Sequence, residues 1–272
     1  MPTDVNLENQ AVQEREHWYL NSVAKTIRTL QAFTVSKPEW TLTQLSRELN
    51  ISKSTMLNIL KTLQCFGYIT KSENNCYRLG VELLELSYHL RASLPIIHYA
   101  IPIMEDIQHR TGQIIYLTIP KQGKVFYLQS VNPGNRNISY SITGKCSDMH
   151  SSSCGKAMLS TLREDEVDRI LQAHGMPRCT ATTIVDPVLL KKDLEEIRKR
   201  GYAVDNCEDA PHVVSLAVPI VGRDRLLGAL SISGSVIAMN EELFPTWAEL
   251  LSSAAALFAS YEDLFPRCEI LP

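Results

Sequence analysis

A run of small polar residues at 150–157 is the strongest candidate for binding chemistry in this sequence. The run reads His-Ser-Ser-Ser-Cys-Gly-Lys-Ala and leads into a segment with helical periodicity. The first turn of a helix has backbone N–H groups without intrahelical acceptors and a partial positive charge, so a carboxylate or phosphate can bind there without a catalytic group. The alternative is that the serines only cap the helix. The pattern favours an anion-binding turn.

Cys154 lies in this turn and allows a second hypothesis. A helix N-terminus stabilises a thiolate, which suits a nucleophile or a redox sensor. Such a cysteine needs a base, and His150 lies four residues earlier. The spacing of Cys146, His150 and Cys154 matches no zinc motif, so we expect no metal site. A cysteine-based redox sensor or enzyme using Cys154 remains the alternative to ligand binding.

Two later segments carry polar residues suited to orienting a ligand. In the strand predicted at 226–234, Ala229, Ser231 and Ser233 share one face. This small polar face either lies under a helix or forms the floor of a pocket. Asp205, at the end of the strand predicted at 202–205, is either an acceptor for a ligand hydroxyl or a turn-forming residue.

Common catalytic motifs are missing from the sequence. It contains no G-x-G-x-x-G, no G-x-x-x-x-G-K-[ST], no H-E-x-x-H and no G-x-S-x-G. We therefore expect a protein that is not an enzyme and that needs no cofactor.

Length and composition fit two compact units. The 272 residues exceed one ordinary domain, and 44% apolar and 21% charged residues are globular values that exclude a collagenous or disordered chain. The net charge of −3 excludes a globally basic nucleic-acid coat. Seven widely spaced cysteines without a C-x-x-C pair indicate a reducing compartment. The polar first 20 residues lack a signal-peptide pattern, and no apolar run is long enough to span a bilayer, so we expect a cytoplasmic protein without membrane contact.

The first half of the chain begins with three predicted helices. Val23, Ile27 and Leu30 give a first helix an apolar stripe, and Thr41 with Gln44 has the form of a capping box that opens a second helix. A third helix is predicted after Ser52 with four core residues, and it ends at Gly67. The predicted core residues are Met56, Ile59, Leu60 and Leu63.

Two short strands at 68–71 and 76–79 complete this half. The residues between them, Ser-Glu-Asn-Asn, include asparagines that tolerate the positive φ of a tight hairpin. Three short helices and a hairpin are the parts of a winged helix-turn-helix, whose recognition helix enters the DNA major groove. Residues 21–80 hold eight Lys or Arg against three Glu, a net of +5, so the remainder carries −8. The alternative is a small helical domain with a solvated basic face.

The outward residues of the third helix are short hydrogen-bonding types that reach bases or phosphates. We expect DNA contacts from this helix, from Thr43 on the helix before it and from the wing. The predicted contacts are Thr43, Lys53, Ser54, Thr55, Asn58, Lys61, Lys71 and Arg78.

The second half reads as an α+β domain. A helical stretch from residue 81 to 110 is interrupted by Pro95 and Pro102, which implies a linker helix and then another helix. Strands are predicted at 114–119, 125–131, 202–205, 213–220 and 226–234, with helices near 154–161, 164–174, 187–200 and 240–261.

Taken together, these segments resemble the IclR family of bacterial transcription regulators over residues 22–262. In the first half the similar segments are 22–30, 53–55, 60–63 and 77–80. In the second half they are 150–159, 200–205, 217–220 and 230–234.

The resemblance implies an N-terminal arm at 1–20, a winged helix-turn-helix at 21–80, a linker helix at 81–97 and a GAF-like effector-binding domain at 98–272. It implies a dimer, or a dimer of dimers, that binds double-stranded operator DNA and responds to a small oxo, hydroxy or sugar acid. In such members backbone N–H groups at 153–155 hold the acid, and side chains of Asp, Ser and neighbouring residues orient it. The implied effector residues are Met149, Ser153, Cys154, Gly155, Asp205, His212, Ser215, Ser231 and Ser233.

The chain departs from the family pattern on the recognition helix, in the turn at 145–149 and at one of the effector positions. Asn58 stands where the recognition helix commonly has Arg, and His212 stands where a glycine is usual. The imidazole of His212 either narrows the pocket or adds a polar contact. We expect a ligand-responsive regulator, a repressor of catabolic genes, in which the effector acts on DNA binding through the linker helix.

Overall fold

The computed structural model describes residues 20–134 and 142–271. The chain divides into two compact units, Met1–Ser93 and Leu94–Pro272. Apart from Leu20, the N-terminal arm expected at 1–20 lies outside the described residues.

The first unit contains four helices and a three-stranded antiparallel sheet in its described part. Its elements are α1 (Asn21–Gln31), β1 (Trp40–Thr41), α2 (Leu42–Glu48), α3 (Lys53–Cys65), β2 (Ile69–Lys71), β3 (Cys76–Leu79) and α4 (Glu82–Ala92). The strand order is β1-β3-β2. This is the predicted helix-turn-helix with a wing, to which the structure adds the two-residue strand β1.

Local signals explain these elements. The Thr41 side chain accepts from the backbone N–H of Gln44, whose side chain accepts from the backbone N–H of Thr41, so the predicted capping box forms. Ser52 caps α3, and the four predicted core residues of α3 are all buried. Gly67 ends the helix with φ of +74°, and Asn75 takes φ of +58° in the wing turn.

The apolar stripe predicted on α1 is largely outside the core. Val23 and Ile27 are each 50% exposed, and only Leu30 of the three packs against the core. The buried residue of α1 is Thr29, whose hydroxyl donates to the carbonyl of Lys25 and therefore enters the core without an unpaired donor.

The region of the expected linker helix holds parts of two helices. Helix α4 ends at Ala92, and α5 (Pro95–Thr111) begins with Pro95 at its first position, where the missing N–H of proline is not needed. Helix α5 continues through Pro102, so only the first of the two prolines separates helices. No residue of α4 is buried.

The second unit is a six-stranded antiparallel sheet with helices on both faces. Its strands are β4 (Ile114–Lys121), β5 (Lys124–Val131), β6 (Cys146–Asp148), β7 (Ala203–Asn206), β8 (Val213–Val221) and β9 (Leu226–Ser235), in the order β6-β5-β4-β9-β8-β7. Its remaining helices are α6 (Ser153–Leu159), α7 (Glu164–His174), α8 (Pro187–Arg200) and α9 (Phe244–Ser260). Short 3-10 turns occupy Glu241–Leu243 and Glu262–Leu264.

The alternation of side chains along β9 assigns the two faces of this sheet. Leu230 and Ile232 pack in one hydrophobic cluster with α5 and α9. Ala229, on the opposite face, packs in a second cluster with α6, α7 and α8. The polar face predicted for this strand therefore lies on the α6 side, and strand β6 is the one strand of this sheet without a sequence prediction.

Candidate effector site and nucleic-acid interface

Three polar residues form a straight row across three neighbouring strands. Asp205 on β7 pairs in register with Ser215 on β8, and Ser215 pairs with Ser233 on β9. Residues directly opposite in an antiparallel sheet point to the same face. All three side chains are buried, at 2%, 8% and 6% exposure. The sheet thus brings together three of the predicted effector residues that are distant in sequence.

Helix α6 covers this row with its first turn. The Ser153 hydroxyl lies 2.8 Å from the Ser215 hydroxyl, and the Ser152 side chain accepts from the N–H of Gly155. Within the described residues, the backbone N–H groups of Ser153 and Cys154 have no hydrogen-bond acceptor. Two free donors therefore lie at the start of a helix beside buried hydroxyl groups.

Gly155 and Met149 bring the turn before α6 close to the helix. A Cβ placed on Gly155 would lie 2.3 Å from the Cα of Met149, a distance that no side chain tolerates. Met149 is 2% exposed. The glycine is required here for close backbone approach rather than for an unusual backbone conformation.

Asp205 is a buried carboxyl with several donors. It accepts from the backbone N–H groups of Glu208 and Asp209 at 2.6 and 3.3 Å, and from the Ser215 hydroxyl at 3.3 Å. Burial raises its pKa to about 7, and the nearby carboxylates of Glu208 and Asp209 add to the rise. Near neutral pH Asp205 is therefore present in both protonation states.

The surroundings of Cys154 argue against a reactive thiol. Its side chain is 2% exposed, and burial raises the pKa of the thiol, which opposes thiolate formation more than the helix start favours it. The thiol contacts the hydroxyls of Ser231, Thr118 and Ser153. Nε2 of His150 lies 3.0 Å from the carbonyl oxygen of Pro177.

His212 differs from the other predicted effector residues. Its side chain is exposed, whereas the rest are buried. Its φ is +63°, in the left-handed region that favours glycine. The backbone conformation thus explains why the family prefers glycine at this position. The imidazole of His212 is exposed, so the expected narrowing of a pocket is not observed.

Lys156 is a buried residue that sequence reasoning did not assign. Its ammonium is 1% exposed and donates to Asp193 on α8 at 2.9 Å and to Glu208 at 2.7 Å. Because the N–H of Glu208 also binds Asp205, this network ties α6 to the loop that carries Asp205. The Ser-x-Gly-Lys sequence alone gave no sign of partners 37 and 52 residues away.

Two tyrosines flank the polar row and were also missed. Tyr116 on β4 pairs in register with Ser231 on β9. Its ring contacts Tyr127 edge to face, with 5.2 Å between centroids. Burial raises the pKa of Tyr116 to about 12, and the neighbouring Cys154 contributes to the rise. In the sequence, only the alternation of side chains along β4 could have placed Tyr116 on the same face of the sheet as the polar residues.

The first unit presents the predicted DNA-contacting face on α3. Ser54, Asn58 and Lys61 lie one turn apart along the helix, and all three are exposed. Lys53 is exposed as well, while Thr55 and Thr43 are partly buried. The side chains of α3 therefore divide into a buried core face and a polar exposed face.

The wing holds the two other predicted basic residues. Arg78 on β3 forms an ion pair with Glu39, and both side chains are partly exposed. The ammonium of Lys71 lies 5.6 Å from the centroid of the Tyr77 ring. Arg78 is therefore neutralised by a neighbouring carboxylate, which charge counting did not reveal.

Comparisons with known proteins agree with this architecture. Residues 22–73 match the IclR helix-turn-helix domain, and residues 89–258 match the C-terminal domain of bacterial transcriptional regulator IclR. The second match alone spans more than half of the chain. The chain belongs to the IclR family. Members of this family are transcriptional regulators, so this IclR-family chain is a DNA-binding regulator and not an enzyme.

Individual relatives support the same assignment. The chain is 30% identical to the HTH-type transcriptional regulator XynR of Escherichia coli K12, over 86% of this chain and 94% of XynR. It is 27% identical to the transcriptional repressor IclR of the same organism, over 87% of this chain and 88% of that protein. An IclR homolog from Microbacterium hydrocarbonoxydans, solved in complex with 4-hydroxybenzoate, has the same fold with a TM-score of 0.71 at 23% identity, over 89% of this chain and 99% of the homolog.

Metal-ligand groups and membrane-spanning helices are both absent from the described residues of this IclR-family chain. Among the residues that the structure describes, no group of three or more His, Cys, Asp or Glu side chains could hold a metal ion. In those same residues, no helix has both the length and the hydropathy needed to cross a bilayer.

Proposed function

We propose that this chain is a repressor of catabolic genes whose binding to operator DNA is controlled by a small oxo, hydroxy or sugar acid. The observation that carries the proposal is the pair of free amide donors at Ser153 and Cys154, beside buried hydroxyls on the sheet. A helix start with free N–H groups favours an anion over a neutral ligand.

The side chains around these donors favour an acid with further oxygen atoms. Ser215, Ser231 and Ser233 offer hydroxyls on two adjacent strands, and Asp205 near its pKa of about 7 both donates and accepts. The fold itself accommodates a carboxylic acid in the Microbacterium homolog, whose ligand is 4-hydroxybenzoate. In our proposal Met149 and Gly155 shape the turn that holds the acid, and His212 makes no contact with it.

The exposed polar face of α3 is the proposed reading surface for operator DNA. In this proposal Ser54, Asn58 and Lys61 lie along the major groove, with Lys53 and Thr55 at the start of the helix. Thr43 on α2 and the wing residues Lys71 and Arg78 contact phosphates, which fix orientation rather than sequence.

The apolar surface of the first unit favours a homodimer. Leu84, Tyr88 and Leu90 on α4 are 71%, 69% and 61% exposed, which a soluble monomer rarely tolerates on one short helix. We propose that α4 pairs with a second copy, in a dimer or a dimer of dimers, and that the acid acts on DNA binding through this helix. Operator binding of this kind takes place in the cytoplasm.

The name of one relative, transcriptional repressor IclR, supports the repressor assignment. Fluorescence anisotropy with DNA from upstream of the gene for this chain tests both halves of the proposal. We expect nanomolar binding that resists competitor DNA, a steep fall of log affinity with log salt, and release by one acid of a panel. Operator affinity that no acid changes would contradict the effector half.

Matched variants locate the DNA surface. We expect Lys61→Ala to weaken binding to all sequences and to lower the salt slope by about one, because it removes a phosphate contact. Lys192→Ala removes an exposed lysine of α8 in the second unit and is the control, with no change expected. Equal effects of the two substitutions would argue against α3 as the reading surface.

A further inference from the structure

Tyr116 lies next to the proposed acid site, although no role has been assigned to it. It stands directly opposite Ser231 across the β4–β9 pair, so both side chains project from the same sheet face. Ser233, two residues farther along β9, shares that face. The Cys154 thiol, at the start of α6, contacts Ser231. Tyr116 therefore lies on the strand next to Ser231 and Ser233. The backbone N–H groups at the start of α6 lie over this face.

The ring of Tyr116 packs against the ring of Tyr127. Its edge-to-face contact with Tyr127 has a 5.2 Å centroid separation and an 81° angle between planes. Burial keeps the phenol protonated, since its pKa is about 12. The hydroxyl is thus both a donor and an acceptor throughout the physiological pH range.

Three hydroxyls on this face have no nitrogen or oxygen partner in the described part of the protein. In the described ranges, no hydrogen bond to a nitrogen or oxygen atom is made by the hydroxyls of Tyr116, Ser231 or Ser233, and Ser231 has only the thiol of Cys154 as a polar contact. Ser231 and Ser233 are nevertheless 1% and 6% exposed. Hydroxyls without a nitrogen or oxygen partner in the protein, beside a binding turn, are available to a ligand.

We propose that Tyr116 determines effector specificity by hydrogen bonding to a hydroxyl group on the carbon chain of a hydroxylated carboxylic acid. The inference rests on the proposed function, because it takes the carboxylate to be bound at the start of α6. The acid then extends over Ser231 toward β4, where its chain oxygens meet the unpaired hydroxyls. An acid with oxygens only in its carboxylate leaves Tyr116 and both serines unpaired, which lowers its affinity.

Isothermal titration calorimetry with matched acids tests this inference. The hydroxylated probes are glycerate, threonate and gluconate, and the matched acids without hydroxyls are propionate, butyrate and hexanoate. We expect the wild-type chain to bind a hydroxylated acid more tightly than its match. Tyr116→Phe keeps the ring and removes the hydroxyl, so it should weaken that acid roughly tenfold without changing the affinity for the match.

Tyr127→Phe is the matched control. Tyr127 belongs to the same aromatic pair and lies on β5, one strand farther from Ser231 and Ser233 than Tyr116. We expect affinities close to those of the wild type. Unchanged melting temperatures without ligand establish that both variants are folded.

Other outcomes would overturn the inference in distinct ways. Equal affinity of Tyr116→Phe and wild type for the preferred hydroxylated acid would show that Tyr116 does not read its hydroxyl. Tighter binding of hexanoate or benzoate than of every hydroxylated acid would exclude the ligand class but leave an acid-binding regulator. Binding of no acid to the wild type would refute the proposed function together with this inference.

Discussion

The Ser153 hydroxyl lies 2.8 Å from the Ser215 hydroxyl and thereby connects the first turn of α6 to strand β8. Ser215 also donates to Asp205 on β7. The turn that offers free amides is therefore connected to the polar row of the sheet by side chains. Substitutions that move the turn should consequently affect acid binding and stability together.

Gly155→Ala should destabilise the second unit and abolish acid binding. The new Cβ would lie 2.3 Å from the Cα of Met149, so α6 must move away from the preceding turn. We expect a loss of about 1 to 3 kcal/mol, as for other overpacked sites, measured by urea unfolding. Gly134→Ala, where a Cβ meets nothing within 4 Å, is the control and should leave stability nearly unchanged. A wild-type acid affinity in Gly155→Ala would refute the role of the turn.

Asp205 should make the chain less stable as the pH rises from about 4 to about 7. Its folded pKa of about 7 lies above the ordinary value of 3.8, so the folded state holds a proton that the unfolded state has released. The associated loss of stability is at most about 4 kcal/mol. Urea unfolding at several pH values should show a flatter profile for Asp205→Asn.

Asp106→Asn, at an exposed carboxylate of α5, is the control for this pH series and should follow the wild-type profile. If Asp205→Asn retained the full decline in stability between pH 4 and pH 7, another group would be responsible.

Lys156→Met should be among the most destabilising substitutions at the site. It leaves the carboxylates of Asp193 and Glu208 without their buried cation, which costs about 3 to 5 kcal/mol in comparable cases. Lys191→Met removes a partly exposed partner of Asp168 and should change the melting temperature little. Similar melting temperatures for the two variants would mean that the buried network adds nothing to stability.

Glu39→Gln should strengthen binding to random DNA. The substitution releases Arg78 from its ion pair, and a free guanidinium on the wing gains a phosphate contact. Anisotropy titrations should show a steeper dependence of log affinity on log salt. Arg78→Ala should have the opposite effect, and the double variant should match Arg78→Ala alone. An additional effect of Glu39→Gln in the double variant would contradict action through Arg78.

The sequence alone determined the elements whose signals lie within a few residues. The capping box at Thr41 and Gln44, the core face of α3 and the wing turn with Asn75 all follow from contacts inside one helix or one hairpin. Alternation along β9 likewise predicted a small polar face at Ser231, because the period of two in a strand is a local property. The family resemblance added the functional setting of these elements.

Only the tertiary structure decided which distant side chains meet. The period of a strand gives its two faces but not its neighbours, so sequence could not pair Tyr116 with Ser231 or align Asp205 with Ser215. The same holds for the burial of Lys156 between two carboxylates and for the closeness of Glu39 to Arg78, which is 39 residues away. These contacts form because packing of a whole core fixes the register and the helix positions, and no window of neighbouring residues contains that information.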